Sequence, residues 1–150
     1  MRKKIALIDI DNTLLDFDEY VKDTLKTGFR EFGIGVYEPY MYDVFEEING
    51  GLWRQIERGE IDFQTLSKRR FNDVFNALSI DFDGVTFEKY FRKKLFTSAI
   101  KVDGAEEMIA KIKPFCVMCI ASNGPVEQQL NRLSLAGFKE SFDFFSFRRI

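Results

Sequence analysis

Ile5-Ala6-Leu7-Ile8-Asp9-Ile10-Asp11-Asn12-Thr13-Leu14-Leu15-Asp16 is the stretch on which the fold turns. Four successive apolar residues lead into Asp9, the pattern of a strand buried on both faces in a parallel sheet covered by helices. Asp9 and Asp11 are two apart, so a strand that stays regular brings both carboxylates to one side at its C-terminal end. Two carboxylates converging there repel unless a cation separates them. Mg2+, hard and oxygen-seeking, is the ion that suits such a pair.

Beyond this segment the apolar spacing is helical as far as Ser98. Tyr20, Val21, Leu25, Phe29 and Phe32 mark a first helix that Gly33 closes. A second is expected over 38–48, ending at Asn49-Gly50-Gly51, and a shorter one through Leu52, Trp53 and Ile56 to Gly59. Asp62 caps a longer helix with Phe63, Leu66, Phe71, Val74, Phe75 and Leu78 inward, and Thr86 starts another. From Lys101 the pattern changes. Asp103-Gly104 opens a helix that Pro114 stops before an apolar strand at 115–121. Ser122-Asn123-Gly124-Pro125 is a turn, the next helix runs through Val126, Leu130 and Leu133 to Gly137 as its C-cap, and 142–147 reads as a third strand.

Strands at 5–10, 115–121 and 142–147 alternating with helices imply right-handed parallel crossovers. The fold class is α/β, with a Rossmann-like parallel core from 1–17 and 99–150 and an inserted helical cap over 18–98.

Composition narrows the chemistry. The chain has 150 residues, 45% apolar and 31% charged, with a net charge of −2, which gives no electrostatic reason to expect nucleic-acid binding. Seventeen phenylalanines recur between charged residues as the faces of packed helices do, so they are read as core. There is no histidine, which removes His-based triads and imidazole acid–base chemistry. Cys116 and Cys119 have CxxC spacing but lie on an expected strand, where positions three apart face opposite ways. They are read as free thiols in a reducing, cytoplasmic setting, with no membrane span and no signal-peptide core.

Asp9-Ile10-Asp11-Asn12-Thr13-Leu14, set after an apolar strand, resembles motif I (DxDxT) of the haloacid dehalogenase (HAD) superfamily. Ala121-Ser122-Asn123-Gly124 resembles its motif II, a Ser or Thr at the end of the second core strand. The intervening helices resemble the superfamily's type 1 cap. Leu14-Leu15-Asp16-Phe17-Asp18 and Ile48-Asn49-Gly50-Gly51-Leu52-Trp53 look most like its pyrimidine 5′-nucleotidase-like subgroup. The resemblance implies a phosphomonoester hydrolase. Asp9 would be the nucleophile that forms an aspartyl-phosphate, and Asp11 the general acid and base. Asp9, with the Asp11 backbone carbonyl, would hold Mg2+. Ser122, Asn123, Gly124 and Thr13 would contact the phosphoryl group, near the free N–H groups of the following helix. Phe17, Tyr42 and Trp53 in and near the cap are candidates for stacking on a nucleobase, weighed against packing within the cap. The partner implied is a small phosphorylated metabolite such as a nucleotide.

Asp81-Phe82-Asp83-Gly84-Val85-Thr86 has a similar spelling without the apolar strand, and is read as a surface turn. An EF-hand reading of the first acidic loop fails, because Leu14 stands where that loop needs glycine. The superfamily pattern also calls for a motif III cation, acidic motif IV ligands, and fourth and fifth core strands. None can be assigned here, and Lys139, before the third strand, is in the wrong place. The expectation is therefore a C-terminally incomplete core with its first strand at a sheet edge, covered by a homodimer or a segment swap. Two other readings stay open: a catalytically impaired remnant, and a phosphomutase using the same two aspartates.

Overall fold

The computed structural model describes residues 4–148. Three strands, β1 (Lys4–Ile8), β2 (Cys116–Ser122) and β3 (Phe144–Phe147), form a parallel sheet in the order β1-β2-β3. Six helices accompany them: α1 (Phe17–Phe32), α2 (Tyr40–Glu57), α3 (Phe63–Ala77), α4 (Gly84–Phe96), α5 (Ala105–Ile112) and α6 (Val126–Leu135). The chain divides into two compact units, one holding residues up to Tyr20 and from Leu95 onward, the other Val21–Lys94.

The first unit is the sheet with α5 and α6. Ile5 pairs in register with Val117 and Leu7 with Cys119, while Ala6, Ile8, Met118 and Ile120 alternate onto the opposite face. That second face is the core, where Ile8, Met118 and Ile120 meet Ala105 and Ile109 of α5 and Leu133 of α6. β1 lies at the sheet edge. The expectation that it is buried on both faces does not hold: Ile5 and Leu7 are 68% and 70% exposed, because α5 and α6 pack against the Ile8 side. Apolar Phe144 on β3 is likewise exposed. Asp143 fixes the start of β3, its N–H donating to the Met118 carbonyl at 2.8 Å and its Oδ2 accepting the Met118 N–H at 2.8 Å.

The second unit is helical, and its core is aromatic. Phe29, Phe45, Phe71, Phe75, Phe87 and Phe91 are at most 1% exposed, with ring centroids such as Phe71–Phe87 at 4.7 Å and Phe71–Phe91 at 5.0 Å. Arg70 is buried among them, its guanidinium 4.7 Å from the Phe91 centroid and bidentate to Glu88 at 3.0 and 2.6 Å.

Several local expectations change. Asn49-Gly50-Gly51 does not end a helix: α2 runs straight through it, because Met41, Phe45, Leu52 and Ile56 form one buried stripe across the junction and Asn49 Oδ1 accepts from Arg70 at 3.0 Å. α4 starts at Gly84 rather than Thr86. Asp62 does cap α3, accepting the Thr65 N–H at 2.7 Å. Gly33 and Gly137 take positive φ at the ends of α1 and α6, where Ile34 N–H bonds the Phe29 carbonyl and Phe138 N–H the Leu133 carbonyl. Cys119 is buried and Cys116 half-buried, both as free thiols. Among the described residues no helix is long and apolar enough to cross a membrane.

Candidate functional site

The chain leaves the sheet immediately after Ile8. The N–H groups of Thr13, Leu14 and Leu15 all point to the carbonyl of fully buried Ile10, at 3.2, 2.9 and 3.0 Å. Asn12 sits at φ 59°, a conformation asparagine tolerates better than most residues. Its side chain accepts the Phe17 and Asp18 N–H groups at 3.0 and 3.1 Å and so secures the start of α1. Asp9 and Asp11 are thus carried on a tight loop, and the strand does not continue regularly beneath them as the sequence suggested.

The two carboxylates have different surroundings. Asp9 keeps solvent access, yet the protein around its carboxyl removes enough water to push its pKa above the ordinary aspartate value. The Ile10 N–H, donating to Asp9 Oδ1 at 2.8 Å, opposes that rise, and the neighbouring charge of Asp11 adds to it. A carboxylate so placed is short of positive charge. Asp11 instead reaches across the fold to α6. Its Oδ1 accepts from Arg132 Nη1 at 2.7 Å and its Oδ2 from Gln129 Nε2 at 2.9 Å.

Gln129 also joins the second motif to the first. The same Nε2 donates to Ser122 Oγ at 3.0 Å, and Gln129 Oε1 accepts from Arg132 Nη1 at 2.9 Å. Arg132 Nε closes the network on the Ser98 carbonyl at 3.2 Å. Ser122 Oγ accepts a further bond from the Gly124 N–H at 3.1 Å, while the cap position of α6 belongs to Pro125. A cavity of about 310 Å3 opens here, lined by Asp9, Ser122, Asn123, Ser146, Phe147 and Arg148. The Arg148 N–H is tied to the Ser122 carbonyl at 3.2 Å.

Of the sequence-derived candidates, the structure gathers Asp9, Ser122 and Asn123 around one cavity and links Asp11 to Ser122 through Gln129. Thr13 is exposed on the loop, Gly124 lies behind Ser122, and neither lines the cavity; nor does Phe17, whose ring lies 6.0 Å from that of Tyr20. Trp53 and Tyr42 belong to the helical unit, where Trp53 packs 5.9 Å from Phe63 and Tyr42 lies beneath Lys22 Nζ. Gln129, Arg132 and Arg148 were not legible as site residues. Of the apolar residues that mark α6, Leu133 is fully buried but Val126 is 48% exposed, and Gln129 and Arg132 are buried too, at 0% and 1%. The usable signal was a polar pair three residues apart on a helix that begins directly after Ser-Asn-Gly.

Mg2+ retains several waters and takes one or two carboxylates together with phosphate oxygens. Asp9 places one carboxylate at the cavity wall, and no cluster of three or more acidic, Cys or His groups occurs among the described residues.

No protein-family model matches the chain. Curated relatives do. The chain is 28% identical over 144 residues to a protein named HAD-hydrolase YfnB from Bacillus subtilis, covering 96% of this chain and 60% of that one. It is also 28% identical over 141 residues to pyrimidine 5′-nucleotidase PynA from Streptococcus pneumoniae, covering 93% and 59%. The crystal structure of YfnB bound to magnesium superposes with a TM-score of 0.83 at 26% identity, over 98% of this chain and 64% of that one. The chain is HAD-like in sequence and in fold. L-2-haloacid dehalogenase from Xanthobacter autotrophicus shares the fold, with a TM-score of 0.72 at 19% identity over 98% of this chain and 57% of that one. The HAD-like chain spans about 60% of the length of the curated relatives it matches.

Proposed function

We propose that this HAD-like chain carries the nucleophile and phosphate contacts of a Mg2+-dependent phosphomonoester hydrolase acting on nucleoside 5′-monophosphates. The observation that carries the reading is the shared cavity. Asp9, at its wall with its pKa raised by partial burial, lies with Ser122, Asn123 and Arg148 around a space of about 310 Å3. A nucleophile on a wall shared with serine, asparagine and arginine is the arrangement that receiving a phosphoryl group requires. The similarity to a protein named pyrimidine 5′-nucleotidase supports the substrate class.

In this reading an Asp9 carboxylate oxygen attacks phosphorus, the bond to the leaving alkoxide breaks, and Asp11 hands that alkoxide a proton. Water then attacks the aspartyl-phosphate, Asp11 takes its proton, and the P–O bond to Asp9 breaks, returning the carboxylate and inorganic phosphate. Ser122 and Asn123 orient the phosphoryl oxygens while Arg148 offsets their charge, the cationic task for which the sequence offered no candidate. Mg2+ held by Asp9 and the Asp11 carbonyl would supply charge neutralisation.

The test is phosphate release from nucleoside monophosphates. Release that needs Mg2+, stops on chelation and vanishes in Asp9→Asn is the expected result. Folded chain that releases none favours the non-catalytic remnant, and return of the phosphoryl group to a second position on the substrate favours a mutase.

A further inference from the structure

Buried polar side chains need a reason, and α6 holds two of the most buried in the protein. Gln129 and Arg132 are buried beside apolar Leu133, while Val126 at the start of the helix is exposed. Each polar hydrogen of the Gln129 amide has a separate acceptor, Asp11 Oδ2 at 2.9 Å and Ser122 Oγ at 3.0 Å. Its carbonyl oxygen is held by Arg132, which binds the other Asp11 oxygen at 2.7 Å. The carboxylate is therefore clamped on both oxygens by one helix, and the clamp ends on the hydroxyl at the cavity wall. Stability alone is a weak account of such a network, since burying polar groups gives little net gain over apolar packing.

A glycine protects the arrangement. A Cβ at Gly124 would fall 2.8 Å from the Gln129 side-chain amide, so any larger residue there would push that side chain away from its place between Ser122 and Asp11.

We propose that Gln129 and Arg132 are positioning residues that hold the Asp11 carboxylate at one orientation relative to Ser122, so that phosphoryl binding at Ser122 and proton transfer at Asp11 occur in register. The proposal rests on the acid–base role given to Asp11 above. Asp11 works against a proton on the reacting oxygen, and misplacement of such a group by an ångström costs about 10²-fold in rate. Gln129 and Arg132 touch no substrate. Their loss should therefore lower kcat and leave KM nearly unchanged, whereas loss of Ser122 should raise KM.

The experiment compares the full chain with Arg132→Met, Arg132→Lys, Gln129→Leu and Gly124→Ala, keeping only variants whose circular dichroism and melting are native-like. Gly124→Ala guards against failure of the buried variants to fold, because it displaces Gln129 without removing a polar group. Two readouts are taken: kcat and KM for a nucleoside monophosphate with Mg2+, and the 15N side-chain signals of Gln129 and Arg132 as inorganic phosphate is added without metal. The expected results are a fall of about 10²-fold in kcat with KM within about twofold, and partial recovery in Arg132→Lys. The Arg132 signal should move with phosphate in the wild type and stay still in Gly124→Ala. Where the wild type turns over, unchanged kcat in the folded variants overturns the proposal and leaves the hydrolase reading standing. Where the wild type does not turn over, that reading falls and the phosphate-linked Arg132 signal decides the proposal: its presence supports the linkage, and its absence overturns it.

Discussion

Two segments of this chain are spelled almost alike and do different things. Asp9-Ile10-Asp11-Asn12-Thr13 and Asp81-Phe82-Asp83-Gly84-Val85-Thr86 both read as paired aspartates before a threonine. In the second, Asp83 satisfies itself locally, its Oδ2 accepting the Thr86 N–H and hydroxyl at 2.9 and 2.6 Å. Those bonds hold the Asp83 carboxyl below the usual aspartate range, as befits the cap of α4. Gly84 is there for packing, since a Cβ would lie 2.2 Å from the Asn72 backbone nitrogen. In the first segment the shift runs the other way. Desolvation raises Asp9, and Asp11 finds its partners on α6, 118 and 121 residues away. An acidic pair that serves as a cap is completed by its neighbours in sequence; an acidic pair that serves a site is completed by the fold.

The comparison breaks if the segments respond alike to substitution. The largest effect is expected at Asp9: Asp9→Asn should abolish phosphate release measured with Mg2+, with no loss in melting temperature near neutral pH. The sign follows from the raised folded-state pKa. The folded protein binds that proton more tightly than the unfolded chain, so stability falls as pH rises through the interval from 3.8 to the raised value, and an uncharged amide escapes that penalty. Next comes Gly84→Ala, where the clash with backbone should cost about 1–3 kcal/mol in chemical denaturation. A smaller effect is expected for Asp83→Asn. Its lowered pKa makes the cap's contribution complete above the unfolded value and lost as pH falls through the folded one, so the variant should melt lower at neutral pH and lose less stability on acidification. Asp81→Ala, exposed beside it, should change neither melting nor turnover.

The same contrast explains how much could be read in advance. The strand before Asp9, the strand ending in Ser122, the Asp62 cap and the glycine at 137 rest on local patterns that the structure keeps. Their causes are periodicity and capping, which neighbouring residues determine. What the sequence hid depends on distant partners. The pair Gly50-Gly51 looked like a helix end until the buried stripe of α2 and the Arg70–Asn49 bond outweighed it. α6 is marked by Val126, Leu130 and Leu133, of which Leu133 does enter the core, and periodicity gives its polar residues no inward place. The carboxylate of Asp11 brings Gln129 and Arg132 inward beside Leu133 by supplying them with partners. Arg148 became a cavity residue only through the parallel pairing of β3 with β2, which brings it beside Ser122.

The central claim is that Asp9 receives the phosphoryl group. Brief reaction with a nucleoside monophosphate and Mg2+, followed by acid quenching and mass spectrometry of the peptides, tests it directly. The account predicts one phosphoryl group on the peptide bearing Asp9, absent in Asp9→Asn and unaffected by Asp83→Asn. Phosphate release from the wild type with no trapped adduct at Asp9, or an adduct on the peptide bearing Asp83, would contradict it.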